Sequence, residues 1–277
     1  FRRVLFRSPR WIKLGPVSVQ VAEIVKICVI IAYASFLYRK QRYVNNIIGY
    51  GTVLFTLGLL CLILGKATNN MSSAIIIALM GIAMLFVVCK KKIYTYAIGI
   101  GGSLILLIYL ISGSGFRSTR FDAYLHPEKY SDGVAFQTQQ GLYAISSGGV
   151  FGKGYGNSIQ KLGTIPEAEN DMIFTIICEE LGLFGAIIVI GLLIYVLYKI
   201  YVIGINAPTM IDSLICVGVF TQIAAQFVIN IAVVTKVIPN TGVTLPFISY
   251  GGTAVIFLLI EIGLVLNISR RTRRYRA

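Results

Sequence analysis

The sequence predicts an all-α polytopic membrane protein, and three observations carry that prediction. Of its 277 residues, 56% are hydrophobic and only 13% charged, where a soluble domain has about 25% charged. Its mean hydropathy is +0.80. Apolar runs near the length of about 20 residues that crosses a bilayer as a helix recur at roughly 20–38, 46–65, 71–89, 93–112, 172–198, 209–234 and 250–268. A membrane barrel would instead show alternating segments of about ten residues.

Taken in order, the runs alternate across the membrane, and the basic residues orient them. Arg39, Lys40 and Arg42 follow the first run, Lys90, Lys91 and Lys92 the third, and Lys199 the fifth. Arg270, Arg271, Arg273, Arg274 and Arg276 follow the seventh. Simple alternation puts all of these on one side, which the positive-inside rule makes the cytoplasm. The net charge of +14 is therefore a topology signal rather than a nucleic-acid footprint. The insert 113–170 and the loops 66–70 and 235–249 then face outward. The basic stretch "FRRVLFRSPRWIK" at the start falls on the wrong side for this rule. With no initiator Met or signal peptide, the chain is expected to be a piece of a longer protein that has further helices upstream. Residues 1–8 are set aside. The expected organisation is one membrane domain, 1–277, with a large extracellular loop at 113–170.

The five cysteines, Cys28, Cys61, Cys89, Cys178 and Cys216, lie in or at the end of apolar runs without metal-ligand spacing. They read as small packing residues. His126 is the single histidine, so a multi-histidine metal site is excluded.

Acid is concentrated in one region. Eight of the eleven carboxylates lie between Asp122 and Glu180. Glu167, Glu169 and Asp171, in "PEAEND", suit a helix start, with Pro166 at the first turn and carboxylates opposing the helix dipole. Asp171 fits that role less well, because an apolar run begins directly after it. Glu179 and Glu180 lie roughly 12–13 Å deeper at helical rise, where a charge needs a cavity or a partner. A buried Arg or Lys is the expected partner.

Two glycine-rich segments stand out. "GGVFGKGYGNSIQK" (148–161) ends on Gln160 and Lys161 and follows no predicted strand, which rules out a dinucleotide-binding turn. It reads as a flexible loop or as a backbone cradle for an anion. "IPNTGVTLPFISYGG" (238–252) interrupts the membrane pattern, and such backbone is tolerated at bilayer depth only where protein or water covers it. Arg117 and Arg120, at the start of the insert, suit either a phosphate clamp or lipid headgroups.

These residues carry a family resemblance. "GGVFGKGYGNSIQKLGTIPEAENDMIFTIICEELGLFG" and "NTGVTLPFISYGGTAVIFLLIEIGLVLNISRR" resemble the two long signatures of the SEDS proteins (shape, elongation, division and sporulation) of the FtsW/RodA/SpoVE type. "RWIKLGPVSVQVAEIVK" resembles the segment entering their fourth helix. "FRSTRFDAYLHPE" and "FQTQQGLYAISSGG" are similar to the start of their large extracellular loop. The likeness covers about residues 9–276 and tilts modestly toward the division or sporulation branch. Two departures are visible. Val21-Ala22 stands before Glu23 where members usually have Pro-Ser, and "KATNNMSSA" (66–74) replaces a Gln-Pro-Asp-Leu-Gly-Thr pattern. Both bear on subfamily.

The resemblance implies ten helices in the complete protein, of which these are helices four to ten. It implies a lipid II polymerase that transfers a growing glycan from undecaprenyl pyrophosphate to the 4-hydroxyl of an incoming lipid II. The active site would lie on the outer face of the bacterial cytoplasmic membrane. Asp171 matches the family's catalytic aspartate and is the expected base. Glu167, one turn earlier by i,i+4 spacing, is expected to orient it or to bind a cation; the resemblance fixes no cofactor and admits a divalent cation. Lys161, Arg117 and Arg120 are expected at the pyrophosphate, with Lys236 and Gln160 as further substrate contacts. Ser249, Gly251 and Gly252 are expected to shape the cavity floor, and Glu179 and Glu180 to hold helix packing beneath it. The implied partners are lipid II, membrane lipids and a class B penicillin-binding protein. A lipid II flippase and an inactive scaffold for the penicillin-binding protein are the alternatives.

Overall fold

The computed structural model describes residues 11–14, 17–67, 71–90, 124–126, 134–161 and 168–276. A short antiparallel hairpin opens it, β1 (Trp11–Leu14) against β2 (Val17–Gln20). The β-branched Val17 and Val19 and the Gly-Pro turn signal between the strands account for it. The helices follow: α1 Val21–Arg39, α2 Gln41–Val44, α3 Ile47–Ala67, α4 Met71–Val88, α5 Val134–Gly148, α6 Ile173–Ile205, α7 Met210–Val234 and α8 Gly252–Arg276.

Six of these helices are long and apolar enough to span a bilayer: α1, α3, α4, α6, α7 and α8. They coincide with six of the seven expected spans, and the chain is a multi-pass membrane protein. The expected span at 93–112 lies outside the described residues. Two helices run further than hydropathy suggests. The helix α6 continues to Ile205 through Lys199 and a further apolar stretch, and α8 to Arg276 through the polar residues after Ile268, which carry no apolar signal.

The chain divides into two compact units. The first comprises Phe1–Ala97, Leu197–Ala225 and Gly251–Ala277. Within it α4 packs against α1 and α3. Ile30, Ala34 and Leu37 of α1 and Ile77, Met80, Met84 and Leu85 of α4 are fully enclosed. Gly81 lets α4 approach Leu57 of α3 so closely that a Cβ there would strike the leucine methyls. Several buried polar side chains in this unit are paired. Lys26 meets Glu23 at 2.8 Å with both buried, and Gln222 of α7 donates to Glu261 of α8 at 2.8 Å. Thr209 and Asp212 exchange hydrogen bonds at the start of α7, a reciprocal cap, and Arg271 reaches the same aspartate.

The second unit comprises Ile98–Val196 and Gln226–Tyr250. It holds α5, the first part of α6, the end of α7 and the connector that follows. Helix α5 lies inside what the sequence reads as a polar insert. Gly141 on it faces Met172 and Thr175 with no space for a side chain, and Ala144 is fully buried. These small residues seat α5 against the start of α6.

Candidate functional site

Asp171 lies in the turn 168–172, immediately before α6 begins at Ile173. The expectation that "PEAEND" starts the helix is corrected. The helix has no acidic residue in its first turn, so Glu169 and Asp171 precede it. The turn is held from two directions. From α5, Gln137 Nε2 donates to Asp171 Oδ1 at 3.3 Å. Asn240 in the connector donates to Gln137 Oε1 at 2.9 Å and accepts from the Gly242 amide at 3.0 Å. From the connector and the end of α7, buried Asn230 donates to the carbonyls of both Asp171 and Val243, at 2.8 and 2.7 Å. The Ser249 hydroxyl donates to the Asn170 carbonyl and accepts from the Leu245 amide. The Tyr250 amide donates to the Glu169 carbonyl at 2.8 Å.

The carboxylate thus sits half-buried on a backbone turn whose carbonyls at 169, 170 and 171 are each engaged by a named donor. Gly242, at φ +67°, presents backbone rather than a side chain beside Asp171 Oδ2, and a Cβ there would lie 3.8 Å from that oxygen. Chemically, this is a rigidly oriented acceptor beside the start of a spanning helix, backed by the neutral amides Gln137 and Asn240.

The glycine-rich segment is an ordered structure, which corrects its reading as a flexible loop. Helix α6 is interrupted at Gly182, with φ 67° and ψ −164°, a conformation essentially restricted to glycine. Around that break the loop is stitched to the helix. The amides of Lys153 and Gly154 donate to the carbonyls of Glu179 and Glu180, both at 2.9 Å. Those of Leu183 and Phe184 donate to Gly149 and Val150, at 3.0 and 3.1 Å. Lys153 pairs with Glu179 and Lys161 with Glu180, each at 2.6 Å, and the Ser158 hydroxyl donates to Glu179 at 2.5 Å. The loop does cradle an anion, but the anions are the protein's own carboxylates. Glu179 and Glu180 therefore have basic partners as expected, but these are exposed lysines of the glycine loop rather than buried ones.

The other candidates fall as follows. Ser249 is brought to the Asp171 turn, as a backbone clamp. Lys161 belongs with Glu180. Gln160 is half-buried, and its amide faces Glu179 at 3.4 Å. Lys236 follows α7 in a left-handed conformation, φ 59°, half-buried. Glu167, Arg117 and Arg120 lie outside the described residues. Among the described residues no three His, Cys, Asp or Glu side chains converge as metal ligands. Gln137, Asn230 and Asn240 are the site residues that sequence reasoning missed. Their available signal was three amides in or beside apolar stretches.

Residues 6–274 match the FtsW/RodA/SpoVE family, described as "Cell cycle protein". The chain belongs to this family. It is 36% identical to the probable peptidoglycan glycosyltransferase FtsW of Coxiella burnetii, over 96% of this chain and 72% of that protein. It is 37% identical to the protein of the same description from Bacillus subtilis, over 97% and 69%. It is 35% identical to the stage V sporulation protein E of Bacillus subtilis, over 96% and 72%. Among solved structures, a chain of a peptidoglycan synthase complex superposes with a TM-score of 0.76 at 23% identity, over 95% of this chain and 73% of that one. The Thermus thermophilus rod shape determining protein RodA gives 0.65 at 23% identity, over 94% and 69%. These structures share the family's fold.

Proposed function

We propose that this protein is a peptidoglycan glycosyltransferase that polymerises lipid II, with Asp171 as the general base. The observation that carries the reading is the placement of Asp171, an oriented carboxylate beside the start of a spanning helix, in a chain 34–37% identical to proteins named as probable peptidoglycan glycosyltransferases. In the reaction, the 4-hydroxyl oxygen of the acceptor sugar attacks the anomeric carbon of the donor glycan. The bond from that carbon to the pyrophosphate oxygen breaks, and its electron pair leaves on the pyrophosphate. Asp171 takes the hydroxyl proton. Gln137 fixes one carboxylate oxygen and Asn240 fixes Gln137, so the base is held in position before substrate arrives. Leaving-group charge needs cations. Arg117, Arg120 and Lys236 are assigned there. Lys161 would have to exchange Glu180 for phosphate to join them. Glu167 is assigned to orienting Asp171 or holding a divalent cation.

The site is assigned to the outer face of the bacterial cytoplasmic membrane, on the support of the Lys and Arg distribution. A class B penicillin-binding protein is assigned as partner, on the support of the family resemblance. The transporter alternative rests on intramembrane carboxylates and broken membrane segments; Glu179 and Glu180 are taken up by ion pairs with the glycine loop, which weakens the first ground. The test is reconstitution of the full-length protein with lipid II already in the outward leaflet. Glycan polymer made by the unsubstituted protein and lost in Asp171→Asn supports the assignment. Transport without polymer, or polymer made equally by the variant, refutes it.

A further inference from the structure

The glycine loop carries four large apolar side chains that its own contacts leave outside. Val150 is 57% exposed, Phe151 85%, Tyr155 89% and Ile159 63%. An unpartnered group of this kind marks an interaction site, and three observations identify what covers it.

The first is depth. Helix α6 has a charge-free run from Leu181 to Tyr198, bounded by Glu180 and Lys199. At helical rise that run is about 27 Å long, close to the thickness of about 30 Å of a bilayer's hydrocarbon core. The loop is bonded to Leu183 and Phe184, just inside one end of this run. The second is continuity. Leu181, Leu183, Phe184, Ile187 and Ile188 are themselves exposed apolar residues of a spanning helix, and Gly149 and Val150 are bonded to Leu183 and Phe184 among them, with the rest of the loop bonded at Glu179 and Glu180 on the boundary. The third is charge. The loop's two lysines, Lys153 and Lys161, are each paired with a glutamate of α6, so the segment brings no uncompensated cation toward hydrocarbon. Its aromatic pair suits the boundary between headgroups and chains, where amphipathic rings concentrate.

We infer that the glycine loop 149–161 is a membrane anchor, inserting Val150, Phe151, Tyr155 and Ile159 among the lipid acyl chains of one leaflet beside α6. The occupant of the exposed apolar surface is therefore the bilayer rather than a protein partner. The anchor sets the loop at a fixed depth, and its four apolar residues are none of those assigned to the reaction above.

The experiment uses full-length protein in nanodiscs of phosphatidylcholine and phosphatidylglycerol, which leave both aqueous faces open. Phe151→Trp and Tyr155→Trp add emission to that of the unsubstituted protein. The added emission is measured with acyl-chain-brominated lipid and, separately, with aqueous iodide. The expected result is greater loss of emission to brominated lipid than to iodide at both positions. Equal or greater loss to iodide would place the loop in water and overturn the inference. Loss to neither would show a protein cover and overturn it equally. Tyr155→Trp alone decides the question if the Phe151 variant fails to elute as folded protein.

Discussion

At the scale of single residues, the acidic turn separates into distinct roles. Asp171 is held by Gln137, whereas Glu169 is exposed and gives only its backbone carbonyl to Tyr250. Asp171→Asn keeps shape but removes basicity, and a general base contributes about 10²–10⁴-fold in rate. Polymerisation of lipid II by the full-length variant should fall to background at unchanged membrane level. Glu169→Gln should polymerise nearly normally, with Glu167→Gln between the two. A normal rate for Asp171→Asn alongside a dead variant of another carboxylate would reassign the base. Gln137 provides a second test. A hydrogen bond to a charged group contributes about 1.5–3 kcal/mol, roughly 10- to 150-fold in rate. Gln137→Leu should lower kcat by that order with little change in KM for lipid II. An unchanged kcat would mean that Asp171 does not need this amide.

At the scale of elements, the break in α6 and the glycine loop form one device. Gly182 opens the helix so that Leu183 and Phe184 can bond to the loop, and a Cβ there would strike the backbone of Val150 and Gly152. Gly182→Ala should destabilise the protein by more than the ~1–3 kcal/mol of a disallowed backbone alone, read as a lower midpoint of thermal unfolding in detergent. The ion pairs make a sharper prediction. Glu179 is fully buried and Lys153 is its principal cation. Lys153→Met should cost about 3–5 kcal/mol by leaving a buried charge uncompensated, and adding Glu179→Leu should recover much of that loss. If the double variant unfolds earlier than the single one, the pair is holding the loop through specific geometry rather than by charge balance.

At the scale of the whole molecule, the basic residues following the first, third, fifth and seventh apolar runs predict the orientation. In a background lacking the native cysteines, a cysteine at Ser131 should react with a membrane-impermeant thiol reagent in intact cells, and one at Lys91 should not. The opposite labelling would put Asp171 on the cytoplasmic side and end the proposal of surface polymerisation.

The sequence by itself determined the membrane class and six of the spans seen here. Transfer of apolar side chains into lipid sums over about 20 adjacent residues, so a local window is sufficient to read it. The signature around Asp171 is local as well. Only the tertiary structure decided what holds that residue. Gln137 reaches it across 34 positions, Asn240 reaches Gln137 across 103, and Ser249 reaches Asn170 across 79. Polar pairing of this kind depends on which elements meet, and hydropathy carries no record of that. The same reason hid α5, whose Gly141 and Ala144 signal only a close neighbour, without saying which. The glycine loop looked mobile because glycines permit many conformations. It is ordered because Lys153, Ser158 and Lys161 find buried carboxylates 26, 21 and 19 residues away, and a buried charge requires its partner in place.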